Sequence, residues 1–263
     1  MLLPARKSRL LLPPYAAYAR RLLRGHFARV WLGGADWPDA AAGPVIGFPN
    51  HSAWWDPLVL LHLSHDVFRC DAYGLMQGAQ LLRFPFFRQI GCFGATDDGL
   101  DDARAVMTHA AELLRGAPGR TLWLFPQGAL LPARLPLHFR SGLARLERAV
   151  PEAQLRPVAL RYELRAEQRP ELFVRVGGPV AASRGPVGGA GAAHRTRQLE
   201  RALRDELARL DDDLLHATPP GYRVVLRGRG SLSAFWERTA GRLGRAGAGG
   251  PPPARPEAAP PGR

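Results

Sequence analysis

A histidine and an aspartate five residues apart are the side chains of this chain best suited to acid–base chemistry. His51 and Asp56 lie in the segment Phe-Pro-Asn-His-Ser-Ala-Trp-Trp-Asp-Pro, which spans residues 48–57. An imidazole titrates near neutral pH, and a carboxylate that fixes its tautomer makes it a general base able to deprotonate an alcohol. The pair indicates an enzyme. The alternative is that Asp56 only caps a helix and that His51 is only a loop histidine.

The spacing requires a bend between the two side chains. Along a continuous helix, five residues turn a side chain by about 140°, which places the two on different faces. Asp56-Pro57 indicates where the chain turns, because Asp is favoured as an N-cap and Pro in the first helical turn, ahead of the apolar run at 58–63. We therefore expect His51 in the loop that enters this helix, with Asp56 at the helix start.

The elements that must position this pair alternate between strands and helices. An amphipathic helix is predicted at 15–32, followed by a loop at 33–43. Strands are predicted at 44–48, 68–73, 121–125, 157–162 and 172–176, and helices at 97–114, 141–149 and 195–215. This alternation predicts an α/β fold: a single domain with a mixed or mostly parallel sheet flanked by helices. His51 would then follow the carboxyl end of a buried strand, where open α/β sheets place their sites.

The charge of the chain favours an anionic partner. Lys and Arg number 36 against 23 acidic residues, for a formal net charge of +13. Nearly all of this is arginine, since Lys7 is the only lysine, and the bias is consistent with coding composition as well as with binding. The sequence has no zinc-finger spacing and no RNP-like motif, so we predict no nucleic-acid partner.

A membrane surface is the anionic partner that fits the N-terminus. The helix predicted at 15–32 interleaves arginines with apolar side chains, as helices that lie in a membrane interface do, and packing on the protein's own core is the alternative. No apolar stretch reaches the roughly 18 to 20 residues of a membrane-spanning helix. Cys70 and Cys92 form neither a disulfide framework nor a C-x-x-C motif, which favours a reducing compartment.

Two further segments carry distinctive residues. The strand at 121–125 runs into Pro126-Gln127-Gly128, which presents Gln127 at the edge of the sheet that His51 should share. Downstream, Phe139-Arg140-Ser141-Gly142 places a basic side chain at a helix start, where an anion such as a phosphate is favoured.

In this order the segments resemble the phospholipid and glycerol acyltransferase superfamily, which includes bacterial lysophosphatidic acid acyltransferases. Its N-H-x-x-x-x-D block is matched by Asn50, His51 and Asp56, and its F-P-E-G-T-R block by Phe125, Pro126 and Gly128. An F-K-x-G block and a V-P-V-type strand are matched at 139–142 and 156–159. The resemblance covers residues 44–180.

The chain departs from the family pattern where the family binds its glycerol phosphate acceptor. Thr96 stands where the G-x-[IF]-x-x-R block, which starts here at Gly91, has its arginine. In the F-P-E-G-T-R block, Gln127 replaces the glutamate and Ala129-Leu130 replace Thr-Arg. Arg88, Arg134 and Arg140 are candidates to compensate. The residues that the resemblance assigns to acceptor binding are Gly91, Thr96, Phe125, Pro126, Gln127, Gly128 and Arg140.

The resemblance, together with the composition of the two ends, divides the chain into four parts. We expect an N-terminal membrane-interface segment at 1–43, an acyltransferase core at 44–180, a C-terminal helical extension at 181–240 and a disordered tail at 241–263. The tail contains too little apolar material to fold.

The resemblance also implies the reaction. His51 and Asp56 would be catalytic, moving a fatty acyl group from acyl-CoA or acyl-carrier protein to a lipid hydroxyl, with no metal and no other cofactor. The expected acceptor is a lysophospholipid of the 1-acyl-glycerol-3-phosphate type, and the alternative is an acceptor without phosphate, such as a glycosylated isoprenoid or a glycolipid. We expect the protein at the cytoplasmic face of the cell membrane, peripheral or interfacial.

Two other classes of protein remain open from the sequence. A metal-dependent hydrolase would draw on the cluster of histidines and aspartates that follows the motif, although no H-E-x-x-H is present: His51, Asp56, His62, His65 and Asp66. A catalytically silent lipid-binding protein would be expected to lack His51 or Asp56, and both are present.

Overall fold

Nine strands form one mixed sheet in the part of the chain that the structure describes. The structure is a computed structural model that describes residues 1–96, 99–182 and 189–229. The strands are β1 (Leu2–Leu3), β2 (Arg29–Gly34), β3 (Val45–Pro49), β4 (Asp71–Leu75), β5 (Cys92–Ala95), β6 (Arg120–Trp123), β7 (Gln154–Glu163), β8 (Glu171–Val176) and β9 (Arg223–Arg227).

The strand that delivers the histidine lies in the middle of this sheet. The strand order is β1-β5-β4-β6-β3-β7-β8-β2-β9. The five strands from β5 to β7 run parallel, β8 is antiparallel to β7, and β1 and β9 are antiparallel edge strands. All five residues of β3 are buried, as expected for a strand with neighbours on both sides and helices on both faces. The prediction of a mixed or mostly parallel sheet is confirmed.

Helices cover both faces of the sheet. They are α1 (Leu12–His26), α2 (Asp56–His62), α3 (Gly78–Arg83), α4 (Leu100–Leu114), α5 (Gly142–Ala149) and α6 (Gly189–Asp213). A π-helical turn at Leu63–Phe68 continues α2, and 3-10 turns lie at Ala40–Ala42 and Pro85–Ile90. Apolar residues of α1 and α2 pack in one core cluster, and those of α4, α5 and α6 pack in another. The result is a layered α/β fold, as predicted.

The N-terminal helix is shorter than predicted. We expected a helix at 15–32, but α1 ends at His26 and Arg29–Gly34 forms β2 between β8 and β9. Val30 and Leu32 are 0% and 7% exposed, so the segment buries alternate side chains as a strand does. Pairing with two neighbouring strands therefore overrides the helical pattern beyond His26.

Other boundaries shift for local reasons. The strand predicted at 68–73 begins at Asp71, because the helical chain continues to Phe68. The helix predicted at 97–114 is described from Leu100, and residues 97–98 lie outside the described residues. Strands β1, β5 and β9 and helix α3 were not predicted.

The remaining expectations about organisation stay predictions. The tail at 241–263 lies outside the described residues. The four-part division of the chain, including the extension at 181–240, is not tested. Within the described ranges, no helix is both long enough and apolar enough to cross a membrane.

Candidate active site

The loop that carries the histidine is tied to the neighbouring strand by the side chain of Asn50. This residue follows β3 and is 3% exposed. Its amide nitrogen donates to the Leu160 carbonyl oxygen at 3.2 Å, and its amide oxygen accepts from the Leu160 N–H at 2.8 Å. The side chain thus extends the pairing of β3 with β7 beyond the end of β3. The backbone of His51 therefore starts from a fixed position.

His51 and Asp56 meet across a tight turn. His51 Nδ1 lies 2.8 Å from Asp56 Oδ2. The same oxygen accepts the backbone N–H groups of Ser52 at 2.8 Å and Ala53 at 3.0 Å. These bonds curl residues 51–53 around the carboxylate, so the bend that the spacing requires is formed. Asp56 is the first residue of α2 and its side chain bonds upstream, instead of capping the helix as we expected.

A tyrosine from a distant strand completes the surroundings of the carboxylate. The hydroxyl of Tyr162, near the end of β7, donates to Asp56 Oδ1. Burial, followed by the charge of Asp56 and the hydrogen bond to it, raises the pKa of the Tyr162 phenol above its ordinary value of 10.0. The hydroxyl therefore keeps its proton and remains a donor. Asp56 is 0% exposed, while the side chain of His51 is 18% exposed.

The segment Phe125-Pro126-Gln127-Gly128 packs directly against the histidine. The Phe125 ring stacks on the imidazole, with centroids 4.0 Å apart and planes at 19°. Gln127 Oε1 accepts the His51 backbone N–H at 3.0 Å, and the His51 carbonyl oxygen accepts the Leu131 N–H at 3.0 Å. The third sequence block thus holds both the ring and the backbone of His51.

The tight turn in this segment depends on a glycine. Gly128 has a φ of +70°, which L side chains rarely adopt, and its N–H donates to the Phe125 carbonyl oxygen at 3.1 Å. A Cβ at Gly128 would lie 2.8 Å from Arg140 Nε, so the Arg140 side chain lies directly over the turn. The Arg140 N–H donates to the Pro126 carbonyl oxygen at 2.8 Å. Arg140 is therefore fixed beside the block that holds His51.

A cavity of about 310 Å³ opens beside the histidine. Its apolar wall comes from the 131–137 loop and from Leu207 and Ala208 of α6. Three arginines also line it: Arg134, Arg161 and Arg204. Arg161 makes two bonds to Asp211, at 2.7 and 2.9 Å, and Arg204 pairs with Glu200 at 2.6 Å. The cavity thus joins an apolar wall to a basic rim that acidic side chains partly neutralise.

Two sequence-predicted residues lie away from this cavity. Strand pairing places Cys92 level with Gly47, so Thr96, four residues later, lies at the same height along the strands as His51. Across the sheet, however, β5 is three strands from β3, a distance of about 14 Å. Thr96 Oγ1 accepts from the Met1 amino group at 2.9 Å. Gly91 precedes β5 and lies about 16 Å short of that level along the strands. The structure therefore does not bring Gly91 or Thr96 to His51, although we expected both to line the acceptor site.

The arginines expected to compensate for the missing family arginines have different locations. Arg134 lines the cavity and Arg140 lies over Gly128. Arg88 donates to the Pro4 carbonyl oxygen at 2.8 Å, in the N-terminal segment. Only the first two are therefore placed near the His51 loop.

The other histidines of the motif region bind a carboxylate. His62 Nδ1 and His65 Nδ1 lie 2.7 and 2.8 Å from the two oxygens of Asp66, which also pairs with Arg20 of α1. Within the described ranges, no three His, Cys, Asp or Glu side chains group as metal ligands would.

A larger hollow, about 590 Å³, opens at the amino ends of β3 and β6, the edge opposite His51.

A solved structure has the same fold as this chain. The crystal structure of the 1-acyl-sn-glycerophosphate (LPA) acyltransferase PlsC from Thermotoga maritima matches with a TM-score of 0.55. The match covers 76% of this chain and 80% of that chain at 14% sequence identity. The chain therefore has the α/β fold of that acyltransferase.

A family model matches the part of the sequence that contains the site. Residues 36–161 match the family model described as Acyltransferase, and this range contains His51, Asp56 and the third block. No curated protein sequence matches the chain. The family match and the shared fold confirm the predicted resemblance to the phospholipid and glycerol acyltransferase superfamily, and they support acyltransferase activity.

Sequence reasoning missed three contributors to the site. Arg161 and Tyr162 come from β7, just beyond the block at 156–159, and Arg204 comes from α6. For Tyr162 a signal existed: it is a hydroxyl-bearing residue near the carboxyl end of a buried strand, and that end shares an edge with His51. Nothing in the sequence places Arg204 beside the motif.

Proposed function

We propose that this protein is a membrane-associated O-acyltransferase that moves a fatty acyl group from acyl-CoA or acyl-carrier protein to a lipid hydroxyl. The observation that carries the proposal is the 2.8 Å contact of His51 Nδ1 with the buried Asp56, at the wall of a cavity. Because Nδ1 is occupied as a donor to Asp56, Nε2 is the nitrogen left to accept a proton.

The reaction needs one base and no acyl-enzyme. His51 Nε2 takes the proton of the acceptor hydroxyl as that oxygen forms a bond to the thioester carbonyl carbon. The tetrahedral intermediate then collapses, the carbon–sulfur bond breaks, and the thiolate takes the proton from the imidazolium. Asp56 stabilises the imidazolium between the two steps. We assign Ser52 no nucleophilic role, because it lacks a G-x-S-x-G elbow.

The oxyanion of the intermediate requires donors near the third block. The backbone N–H groups of Gln127 and Gly128 are the candidates, but the Gly128 N–H is bound to the Phe125 carbonyl oxygen. Of these two donors we therefore propose the Gln127 N–H.

The proposed acceptor is a lysophospholipid of the 1-acyl-glycerol-3-phosphate type. The three arginines at the cavity support an acyl chain on the apolar wall with an anionic head group at the rim. Because Arg161 and Arg204 already pair with Asp211 and Glu200, a phosphate must compete with those carboxylates. A neutral sugar-bearing acceptor is the alternative, favoured by Trp54, which is 67% exposed beside His51 and offers a ring face for a sugar.

Membrane association is proposed at the N-terminal surface. There a chain of ring contacts joins α1 to the segment after α3, with exposed members Tyr18 (54%), Phe84 (38%) and Phe86 (40%). We call this surface the aromatic patch: Tyr15, Tyr18, Phe84, Phe86 and Phe87. The guanidinium of Arg83 lies 5.1 Å from the Phe84 ring centre, which adds positive charge to the patch. Aromatic and basic side chains together suit an anionic lipid interface, at the cytoplasmic face of the cell membrane in our proposal.

One assay tests the reaction and its acceptor. Purified full-length protein is incubated with labelled acyl-CoA or acyl-carrier protein and with a panel of lysophosphatidic acid, other lysophospholipids and glycosylated lipids. We expect transfer to lysophosphatidic acid, lost in His51→Ala and kept in His194→Ala, an exposed histidine of α6. Transfer to sugar-bearing lipids alone would support the alternative acceptor. Transfer to no acceptor, or wild-type turnover in His51→Ala, would contradict the proposal.

A further inference from the structure

Asp56 is a buried carboxylate with four hydrogen-bond donors in the described residues. Oδ2 receives His51 Nδ1–H and the N–H groups of Ser52 and Ala53. Oδ1 receives the Tyr162 hydroxyl, from a residue 106 positions away in sequence. The local turn therefore supplies the donors to one oxygen, and the tertiary fold supplies the donor to the other.

This division matters because a buried carboxylate depends on its donors. An ionised carboxylate removed from water loses its hydration, and it stays charged only where hydrogen bonds or cations replace that hydration. Asp56 is 0% exposed. Without the Tyr162 hydroxyl, Oδ1 would lose its one side-chain donor among the described residues, and nothing on that side would stop the carboxyl group from rotating. Rotation would move away the acceptor that His51 Nδ1–H requires.

The fold holds Tyr162 in place by several independent contacts. The Asn50 side chain binds both backbone groups of Leu160, two residues before Tyr162, so β7 is locked to the His51 loop. The Tyr162 ring packs against Phe27 with centroids 5.7 Å apart, and Phe27 packs edge-on against Trp55 at 5.3 Å. The hydroxyl is therefore delivered to Asp56 by a rigid strand and a packed aromatic group.

We propose that Tyr162 is a positioning residue for acyl transfer. Its hydroxyl holds the Asp56 carboxylate turned so that Oδ2 faces His51 Nδ1, and this fixes the tautomer in which His51 Nε2 is the base. Tyr162 touches neither substrate nor reacting atoms in this role. The inference rests on the proposed function and adds to it a residue outside the four sequence blocks.

Tyr162→Phe is the test variant, because it removes the hydroxyl and keeps the ring that packs against Phe27. We expect kcat to fall by about 10- to 100-fold, the effect of one hydrogen bond to a charged group, with KM for donor and acceptor unchanged. The other charged groups around the pair are His26, which packs on Trp55, and the cavity residues Arg134, Arg161, Arg204 and Asp211. They are the same in both proteins.

Tyr222→Phe is the matched control. The Tyr222 hydroxyl also donates to a carboxylate, Asp213, at 3.0 Å, at the end of α6. We expect this variant to keep the kcat of the wild type. A Tyr162→Phe protein with a kcat within twofold of the wild type would overturn the inference.

A measurement without substrate keeps the test independent of the reaction. The ¹⁵N NMR shifts of the His51 ring, assigned with His51→Ala, report its tautomer. We expect a single Nδ1-protonated tautomer in the wild type and a mixture in Tyr162→Phe. Identical spectra would overturn the inference even if no acceptor were found. An altered tautomer with no acyl transfer to any lipid would instead contradict the proposed function alone.

Discussion

Gln127 Oε1 accepts the backbone N–H of His51 at 3.0 Å, so the third sequence block holds the loop of the first. The superfamily pattern that this chain resembles has a glutamate at this position. A carboxylate oxygen and an amide oxygen can both accept this bond. Glutamine in place of glutamate therefore keeps the hydrogen bond to the His51 backbone.

Replacing Gln127 tests whether its hydrogen bond stabilises the His51 loop. Gln127→Leu leaves the His51 N–H unpaired and should lower the free energy of unfolding by about 1–3 kcal/mol. Gln127→Glu keeps an acceptor oxygen and should lose less. Urea denaturation of the three proteins measures the difference. A leucine variant that unfolds at the same urea concentration as the wild type would show that the bond does not stabilise the loop.

Asp56→Asn tests the role of the negative charge beside the imidazole. The amide has nearly the same shape, but it neither stabilises an imidazolium nor enforces the Nδ1–H tautomer. We expect kcat to fall by about 10³- to 10⁴-fold with little change in KM, by analogy with the aspartate of a serine protease triad. Steady-state kinetics measure this, with Asp212→Asn at an exposed position of α6 as the control. Activity above a tenth of the wild type would argue against the His–Asp base.

Gly128→Ala tests whether Arg140 contributes to acceptor binding. A side chain at a φ of +70° costs about 1–2 kcal/mol, and the new Cβ would also displace Arg140 from its place over the turn. Gly116→Ala is the control, because Gly116 has a φ of +61° and a Cβ added there would meet no atom within 4 Å.

We expect similar losses of thermal stability in these two glycine variants. Only Gly128→Ala should raise the KM for a phosphate-bearing acceptor, because only this change moves a guanidinium near His51. Equal KM values in both variants would remove Arg140 from the acceptor site.

The Asp66 cluster predicts a pH dependence of stability. Burial raises the pKa of the Asp66 carboxyl, but hydrogen bonds from His65 and His62 and the charge of Arg20 outweigh it, so the pKa lies below the ordinary value of 3.8. A lowered folded-state pKa contributes stability that is present at pH values above 3.8 and is lost as the pH falls through the folded-state pKa.

Asp66→Asn should therefore lower the free energy of unfolding by about 1–3 kcal/mol near neutral pH and by less at about pH 3. Urea denaturation at both pH values gives the comparison, with Asp205→Asn on the exposed face of α6 as the control. A destabilisation that is the same at both pH values would refute the ionic part of this prediction.

The aromatic patch predicts binding to anionic vesicles. Replacing Phe84 and Phe86 together by serine should reduce sedimentation with phosphatidylglycerol vesicles by about tenfold or more, because two partly exposed rings would no longer insert. Leu164 and Leu215 are 78% and 84% exposed elsewhere on the surface, and their double serine variant is the control. Equal sedimentation of both variants would place the membrane contact elsewhere. Sedimentation with uncharged phosphatidylcholine vesicles separates the apolar contribution to binding from the charged one.

The sequence predicts the features that depend on neighbouring residues, and it does not predict those that depend on contacts between residues far apart in the chain. The alternation of strands and helices and the position of His51 after a buried strand follow from local patterns. The end of α1 at His26 does not, because Arg29–Gly34 is a strand only through its pairing with β8 and β9. The placement of Gly91 likewise follows from register along the sheet, which residue spacing does not reveal.

The sequence by itself determined the reacting pair, because five residues, a turn and a proline bring His51 and Asp56 together locally, and the ordered blocks indicate their chemistry. Only the tertiary structure decided what holds that pair. Tyr162 reaches Asp56, and Asn50 binds Leu160, because β7 lies beside β3 in the sheet. Contacts between strands more than a hundred residues apart depend on the whole sheet, so no local pattern encodes them.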